Sequence, residues 1–468
     1  MRRVIGPLGA LSIVAGSMLG VGIFVSPPVV AQLLNEPWAF FAVWLLGGLF
    51  ALAGASAYAE LGARYPHAGG DYVFVREALG PSAGFATGFM LFSCVFAGSI
   101  ATLASILATD QLPGLLGFLG VEVPTRFTLF AGKSIDSGRV LGLGFIALLT
   151  GVNLRGAKAA TVLQVWTTAI PLVAMIAMAG FAISSGAAAE PISGPARHAP
   201  ITAAAVGHAL VVIYFAYSGW NAIAYVGGEV SRPERTLPLG LLGGTALVTA
   251  LYMVVCAAYA SVLGMDGLAA ASDAGIATAA LFDVRAIRVV IAGLIAITLL
   301  GSLNGSVLAG GRIAVAMRMG NLVGDSPERA LVVQAAFASL LLLTGSFELL
   351  LELTSIAMLI IGAMAVVSLF LLRKRHGAPR GYKALGYPLL PAIYLVLALF
   401  VVVMSIDRAV TAVRTAENTW KAALPLLGLG VFALSFGAHR LVLSRRRFAT
   451  ELVSDGIGVE GVEPSVGD

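Results

Sequence analysis

Apolar residues fall along the chain in long runs, each closed by a short cluster of charged residues, prolines or glycines. The runs cover residues 5–26, 38–62, 81–108, 139–152, 161–184, 204–228, 238–263, 287–310, 330–345, 350–372, 388–407 and 420–439. A helix needs about 20 such residues to cross the hydrocarbon core of a bilayer. The pattern therefore predicts an all-α integral membrane protein with twelve transmembrane helices. Short loops join them, with longer connections only at 109–137, 185–203 and 264–286. From residue 445 the chain is polar and glycine-rich, and residues 445–468 are expected to form a disordered cytoplasmic tail.

Composition agrees with this pattern. Of 468 residues, 59% are hydrophobic and 11% are charged. Soluble domains carry about 25% charged residues, so a soluble enzyme is excluded, as are disordered and collagen-like chains. The formal charge of +5 follows from loop bias rather than from a nucleic-acid surface. With the N-terminus placed in the cytoplasm, 20 of the 29 Lys and Arg residues lie on the inner side. Twelve spans then put both termini inside, in a multi-pass protein of the cytoplasmic membrane. Cys94 and Cys256 both lie within apolar runs and read as small buried side chains. The five histidines have no metal-ligand spacing with Cys, Asp or Glu, so no metal and no cofactor are expected. The first apolar run shows no small-residue cleavage site of a signal peptide.

Two spans are interrupted at mid-membrane. Span 1 contains Gly16-Ser17-Met18-Leu19-Gly20-Val21-Gly22-Ile23-Phe24, and span 6 contains Phe215-Ala216-Tyr217-Ser218-Gly219-Trp220-Asn221. Backbone groups released at that depth are tolerated only beside protein or a wet cavity. The breaks occupy the first position of spans 1–5 and of spans 6–10, the arrangement of a transporter site at an inverted-repeat interface. Gly16 and Gly20 also fit the spacing of a helix-packing motif, which Gly22 breaks. The opened ends have opposite polarity. Carbonyls of residues 15–18 and 214–216 are partially negative, and amides at Gly20–Gly22 are partially positive. A zwitterionic α-amino acid satisfies both at once, and no side-chain charge is expected at that depth.

These residues resemble a family. Gly16-Ser17-x-x-Gly20-x-Gly22-Ile23-Phe24-Val25-Ser26-Pro27 is similar to the first-helix motif of the amino acid–polyamine–organocation superfamily, in particular its L-type amino acid transporter branch. The resemblance continues in Tyr58-Ala59-Glu60-Leu61, Pro66-x-Ala68-Gly69-Gly70-Asp71-Tyr72 and Gly151-Val152-Asn153-x-Arg155-Gly156-x-Lys158. The most specific match is span 6 followed by Glu229-Val230-x-x-Pro233-Glu234-x-Thr236-Leu237-Pro238. Gly301-Ser302-x-Asn304-Gly305-Ser306 with Arg312 adds another.

The resemblance implies a LeuT-like fold of two inverted five-helix repeats with broken helices 1 and 6. The repeats would be 1–184 and 204–372, with two peripheral helices in 388–444. It implies alternating access for neutral α-amino acids. The substrate-binding residues carried over are Ser17, Met18, Gly20, Val21, Gly22, Phe215, Ser218 and Gly219. The amides of Val21 and Gly22 would hold the carboxylate. The carbonyls of Met18 and Phe215, with Ser218, would hold the ammonium. The Phe215 ring would gate the site, and Trp220 and Asn221 would support the opened segment. Ser302 and Ser306 are candidate ion-site residues, although such hydroxyls more often bond back to their own helix. Many L-type members carry a lysine in helix 5 where this chain reads Thr167-Thr168-Ala169-Ile170-Pro171-Leu172, and animal members use a loop cysteine absent here. No disulfide-linked heavy chain is therefore expected, and the protein would work as a monomer or homo-oligomer.

Glu60 and Glu229 lie near the ends of spans 2 and 6 and read as helix-end ion pairs. A membrane enzyme needs a cluster of acids, histidines or cysteines at one depth, and the sequence shows none. Two further readings stay open at this point: a channel, and a cationic amino acid or polyamine antiporter of the same superfamily. Cysteines introduced into 109–137 and 185–203 should react with an impermeant maleimide from outside intact cells. Reaction only from the cytoplasmic side would invert the topology.

Overall fold

The structure is a computed structural model that describes residues 3–124, 126–128, 134–184, 201–280, 285–317, 326–344, 347–415, 430 and 432–441. The chain opens with α1 (Pro7–Met18) and α2 (Gly22–Leu33), two halves of one span bent by 45°. Then follow α3 (Pro37–Arg64), the short α4 (Asp71–Leu79), α5 (Pro81–Phe118), α6 (Ser137–Leu154) and α7 (Ala157–Ser184). A second interruption separates the apolar α8 (Ala203–Ala216) from the four-residue α9 (Ala222–Tyr225). After it come α10 (Pro233–Ala270), α11 (Ala274–Ala280), α12 (Arg285–Ala316), α13 (Pro327–Thr344), α14 (Phe347–His376) and α15 (Leu389–Thr415). Residues 432–441 are helical as well. One antiparallel hairpin, β1 (Arg126–Thr128) and β2 (Ser134–Asp136), precedes α6.

Among the described residues, eight helices are long and apolar enough to cross a membrane, and nine when the bent pair α1–α2 is one span. The protein is therefore helical and multi-pass. Proline at the first helical turn starts α1, α3 and α5, where its missing N–H would have had no partner. Several expected limits move. The connection 109–137 is partly helical, because the leucine-rich stretch after Asp110 carries α5 on to Phe118. Span 7 runs longer than 238–263, from Pro233 to Ala270, with one non-helical residue at Gly264. The connection 264–286 contains α11. Only part of the expected span 420–439 lies within the described residues, and the tail 445–468 lies outside them.

Small residues let the helices approach closely. A Cβ on Gly48 of α3 would come within 2.3 Å of Thr249 on α10, and one on Gly54 within 2.8 Å of the Trp220 ring. The core at this level is aromatic: Trp44, Tyr217 and Tyr252 lie with ring centroids 5.2–6.0 Å apart, and all three are buried. Cys256 is buried and Cys94 half-buried, both as free thiols.

The two glutamates read as helix-end ion pairs are ion-paired. Glu229 meets Arg312 of α12 at 3.3 Å, with both side chains almost wholly buried. Glu60 of α3 binds Arg373 of α14 and accepts the Ala384 amide at 2.7 Å. The Arg373 guanidinium also lies 3.7 Å from the centre of the Tyr387 ring. Removing one partner of a buried pair leaves an uncompensated charge and costs about 3–5 kcal/mol. Glu60→Ala should therefore lower the thermal unfolding midpoint of the purified protein well beyond a surface Glu→Ala control. An unchanged midpoint would show that Arg373 is held without Glu60.

Candidate functional site

The break between α1 and α2 and the break between α8 and α9 face each other. A Cβ on Gly22 would lie 2.6 Å from the Ala216 Cα, and one on Gly219 would lie 2.5 Å from the Ser17 carbonyl oxygen. Gly219 also has φ +95°, a conformation that L side chains rarely adopt. Glycine at these two places is thus dictated by the contact between the two breaks, before any ligand is considered.

The carbonyls released at the end of α1 are partly answered by side chains. The Tyr252 hydroxyl of α10 lies 2.8 Å from Met18 O and 3.0 Å from Ala216 O, so its single proton is shared between the two breaks. Ser302 of α12 donates to Gly16 O at 3.2 Å and also to Leu19 O. Ser306 turns to its own helix and donates to Ser302 O at 3.0 Å. The Phe215 carbonyl accepts the Ser218 amide at 3.0 Å. On the other side of the first break, the amides of Val21, Gly22 and Ile23 bind no backbone carbonyl among the described residues. Carbonyl oxygens have two lone pairs, so Met18 O and Phe215 O keep acceptor capacity beyond these bonds.

Burial also sorts the residues singled out from the sequence. Ser17, Gly20, Val21, Gly22, Phe215, Ser218, Gly219 and Asn221 are half-buried, whereas Met18 and Trp220 are buried. The structure brings the residues of both breaks into one region and sets Ser302 against the carbonyls of the first. The Ser17 hydroxyl is shielded from solvent and has no protein partner among the described residues. Trp220 packs between Tyr58, 4.7 Å away centroid to centroid, and Tyr394 at 6.1 Å. Asn221 donates to the Tyr225 hydroxyl at 3.0 Å.

Behind α1 lies a network of neutral polar groups. Thr168 donates to Ser12 O at 3.1 Å, and Asn304 donates to Gln164 Oε1 at 2.8 Å. Asn153 in turn donates to Asn304 Oδ1 at 3.0 Å. Gln164 and Thr168 fill the space that a Cβ on Gly16 would enter. Among the described residues no group of three or more His, Cys, Asp or Glu is placed to hold a metal.

Two groups at the site escape the sequence reading. Tyr252 is legible there only as one aromatic in an apolar span, although a buried hydroxyl needs an acceptor. The second is a carboxylate where the sequence predicts no charge. Asp71, at the start of α4, is fully buried and lines a pocket with Ser218, Gly219, Asn221 and Tyr225. It stands in the Gly69-Gly70-Asp71 motif, between two apolar runs, and span periodicity cannot place such a connecting residue inside a bundle. Its two oxygens accept the hydroxyls of Tyr58 and Tyr225. Burial raises its pKa to about 6, against the lowering effect of the two tyrosine hydrogen bonds.

Comparison with known proteins sets this geometry in context. The sequence profile described as amino acid permease matches residues 5–432. The serine/threonine exchanger SteT of Bacillus subtilis (strain 168) is 28% identical over 417 residues, covering 86% of this chain and 90% of that protein. Asc-type amino acid transporter 1 of Mus musculus is 28% identical over 473 residues, covering 97% of this chain and 86% of that protein. Large neutral amino acids transporter small subunit 2 of Homo sapiens is 27% identical over 451 residues, covering 92% and 81%. With two interrupted segments meeting at Gly22 and Gly219 and a profile match over nearly its whole length, the chain belongs to the amino acid permease family.

Proposed function

We propose that this protein is a secondary-active transporter that carries neutral α-amino acids across the cell membrane by alternating access. The observation that carries the reading is the meeting of opened helix ends of opposite polarity at 16–22 and 216–221. The amides of Val21 and Gly22, at the start of the twelve-residue α2, present partial positive charge to a carboxylate. The carbonyls of Met18 and Phe215, with the Ser218 hydroxyl, take the ammonium. Ser17, Gly20 and Gly219 complete the contact surface, and the half-buried Phe215 ring is the movable cover. Trp220, anchored between two tyrosines, and Asn221 hold the opened segment of the second break. Ser302 belongs to the first break as a donor to its carbonyls, and an ion at Ser302 and Ser306 would have to displace those bonds.

The fold that serves this cycle has twelve spans. Residues 1–184 and 204–372 are two inverted repeats of five, and the spans of 388–444 are peripheral. Both termini face the cytoplasm, as the basic residues of the inner loops favour. On that side the segment after α9 is strapped in place. Glu229 O accepts the Val4 and Ile5 amides, and Ser231 binds Ile5 O through its amide and its hydroxyl. These contacts must open for release inward. The protein acts as a monomer or homo-oligomer, with no heavy chain attached through a disulfide.

Neutral substrates fit the absence of a free charge in the site, since Asp71 is already engaged by two hydroxyls. The relatives named for serine/threonine exchange and for large neutral amino acids support the same class. Each charge-assisted hydrogen bond to the substrate is worth about 1.5–3 kcal/mol, so amino acid esters and N-acetyl derivatives should compete at least tenfold more weakly than the parent. The check is competition for uptake of a labelled amino acid panel into proteoliposomes. Equal competition by both derivatives would rule out recognition by the helix ends. Ser17→Ala removes no protein hydrogen bond, so it should leave thermal stability unchanged. It should weaken substrate binding roughly two- to tenfold, as read by scintillation proximity on purified protein. Unaltered affinity would remove Ser17 from the site.

A further inference from the structure

Among the described residues three acids are buried, and they are not equivalent. Glu60 and Glu229 each have an arginine. Asp71 makes no ion pair among the described residues and is held by the hydroxyls of Tyr58 on α3 and Tyr225 on α9. The groups that face it are tyrosines: Tyr58, Tyr225, Tyr214 of α8 and Tyr394 of α15. Of the cations on this part of the fold, Arg64 of α3 donates to Gly377 O at 3.1 Å, and three more are ion-paired away from Asp71. Arg312 of α12 is bound to Glu229 and Arg373 of α14 to Glu60, while Arg76 on α4 itself pairs with Glu77 at the surface. The ten residues Pro81–Met90, packed beside α4 at the start of α5, carry no titratable side chain.

The position of Asp71 joins three elements. The amide of Gly69 binds the Tyr225 carbonyl at 2.9 Å, and Ala68 pairs with Val226 in an antiparallel bridge. Gly69 and Gly70 have positive φ, and a Cβ on Gly70 would lie 2.6 Å from the Tyr225 ring. The turn is therefore shaped to bring the carboxylate against α9. From there a hydrogen-bond chain leads from Asn221, in the second break, through the Tyr225 hydroxyl to Asp71. Asp71 and the opened segment Ser218–Asn221 line one pocket.

We propose that Asp71 is a proton-binding site whose charge state sets how firmly α9 and the strapped segment after it are held against α3 and α4. As a carboxylate it accepts both tyrosine protons, and such charge-assisted bonds are about twice as strong as neutral ones. A proton on one oxygen turns the group into a neutral acid with a donor of its own. It then weakens one tether and replaces the other. No covalent step is involved: one proton binds to one carboxylate oxygen. Protonation loosens the clamp, and the site opens more readily on that side.

Two measurements test this. The first rests on the amino acid reading of the site: exchange of a saturating transported amino acid in proteoliposomes between pH 5 and 8. The wild-type rate should rise at least about fivefold as pH falls through the titration of Asp71. Asp71→Asn, which stands for the protonated group, should be independent of pH and close to the wild-type acid rate. Tyr58→Phe removes a donor that favours the charged form, so it should move the midpoint to higher pH, a shift that a purely structural role would not produce. The second measurement needs no substrate. Hydrogen exchange of residues 222–231 in purified protein, corrected for intrinsic pH dependence, should be faster in Asp71→Asn than in wild type at pH 7.5. It should also be faster in wild type at pH 5.5. If no amino acid is transported, the functional reading fails while this arm still decides the clamp. Should Asp71→Asn not fold, the Tyr58→Phe midpoint and the wild-type exchange profile decide. A flat wild-type profile in both measurements, an unmoved midpoint in Tyr58→Phe, or wild-type pH dependence retained in Asp71→Asn would overturn the proposal.

Discussion

A peptide group released inside a bilayer has no water to turn to, and leaving it unpaired costs several kcal/mol. This protein opens two helices at one place, so it gathers a concentrated set of such groups there. Much of the surrounding structure answers that constraint. Tyr252 spans both breaks with one hydroxyl, and Ser302 closes two carbonyls of the first. Gly22 and Gly219 let the breaks touch without intervening side chains. The amides of residues 21–23 remain without a backbone partner and the Ser17 hydroxyl without a protein partner among the described residues.

The same constraint governs the charges. A carboxylate taken out of water must be paired, hydrogen-bonded or neutral. Glu60 and Glu229 meet arginines at the end of α3 and after α9; the Glu60 carboxylate also accepts the Ala384 amide, and the Glu229 main-chain carbonyl accepts the Val4 and Ile5 amides. Asp71 sits nearer the opened segment and, among the described residues, is answered by two phenolic hydroxyls and its own backbone amide rather than by a cation. Paired acids make fixed fastenings, whereas an acid held by neutral donors has a charge that solvent pH can reach. The neutral amides behind α1 follow another course. Gln164, Asn304 and Asn153 hydrogen-bond to one another across three helices, and only the Asn153 Oδ1 among these links is left without a partner among the described residues.

Much of this is legible along the chain. Spans follow from the length of apolar runs, because the bilayer sets that length and every backbone group in a helix is satisfied locally. The breaks at 16–22 and 215–221 are legible for the converse reason: glycine clusters inside an apolar run have few other uses. Glu60 and Glu229 read as helix-end ion pairs because each charge falls where a run stops, and the arginines were the only unknowns.

Contacts between residues far apart in sequence are not legible. Tyr252 stands 234 positions from Met18 and 36 from Ala216, and nothing in its own span marks it as a cap. Asp71 lies between two apolar runs and so reads as a loop residue. Only the tertiary structure, which sets it against Tyr58 of α3 and Tyr225 of α9, carries it inside and beside the site. Gly22 must be glycine because the backbone of Ala216 faces it, a contact that no local pattern shows. The sequence by itself determined where helices start, stop and open, since those depend on local apolar length and backbone freedom. Which side chain satisfies which opened group was decided by tertiary structure, since hydrogen bonds act over about 3 Å and the chain alone does not say what lies that close.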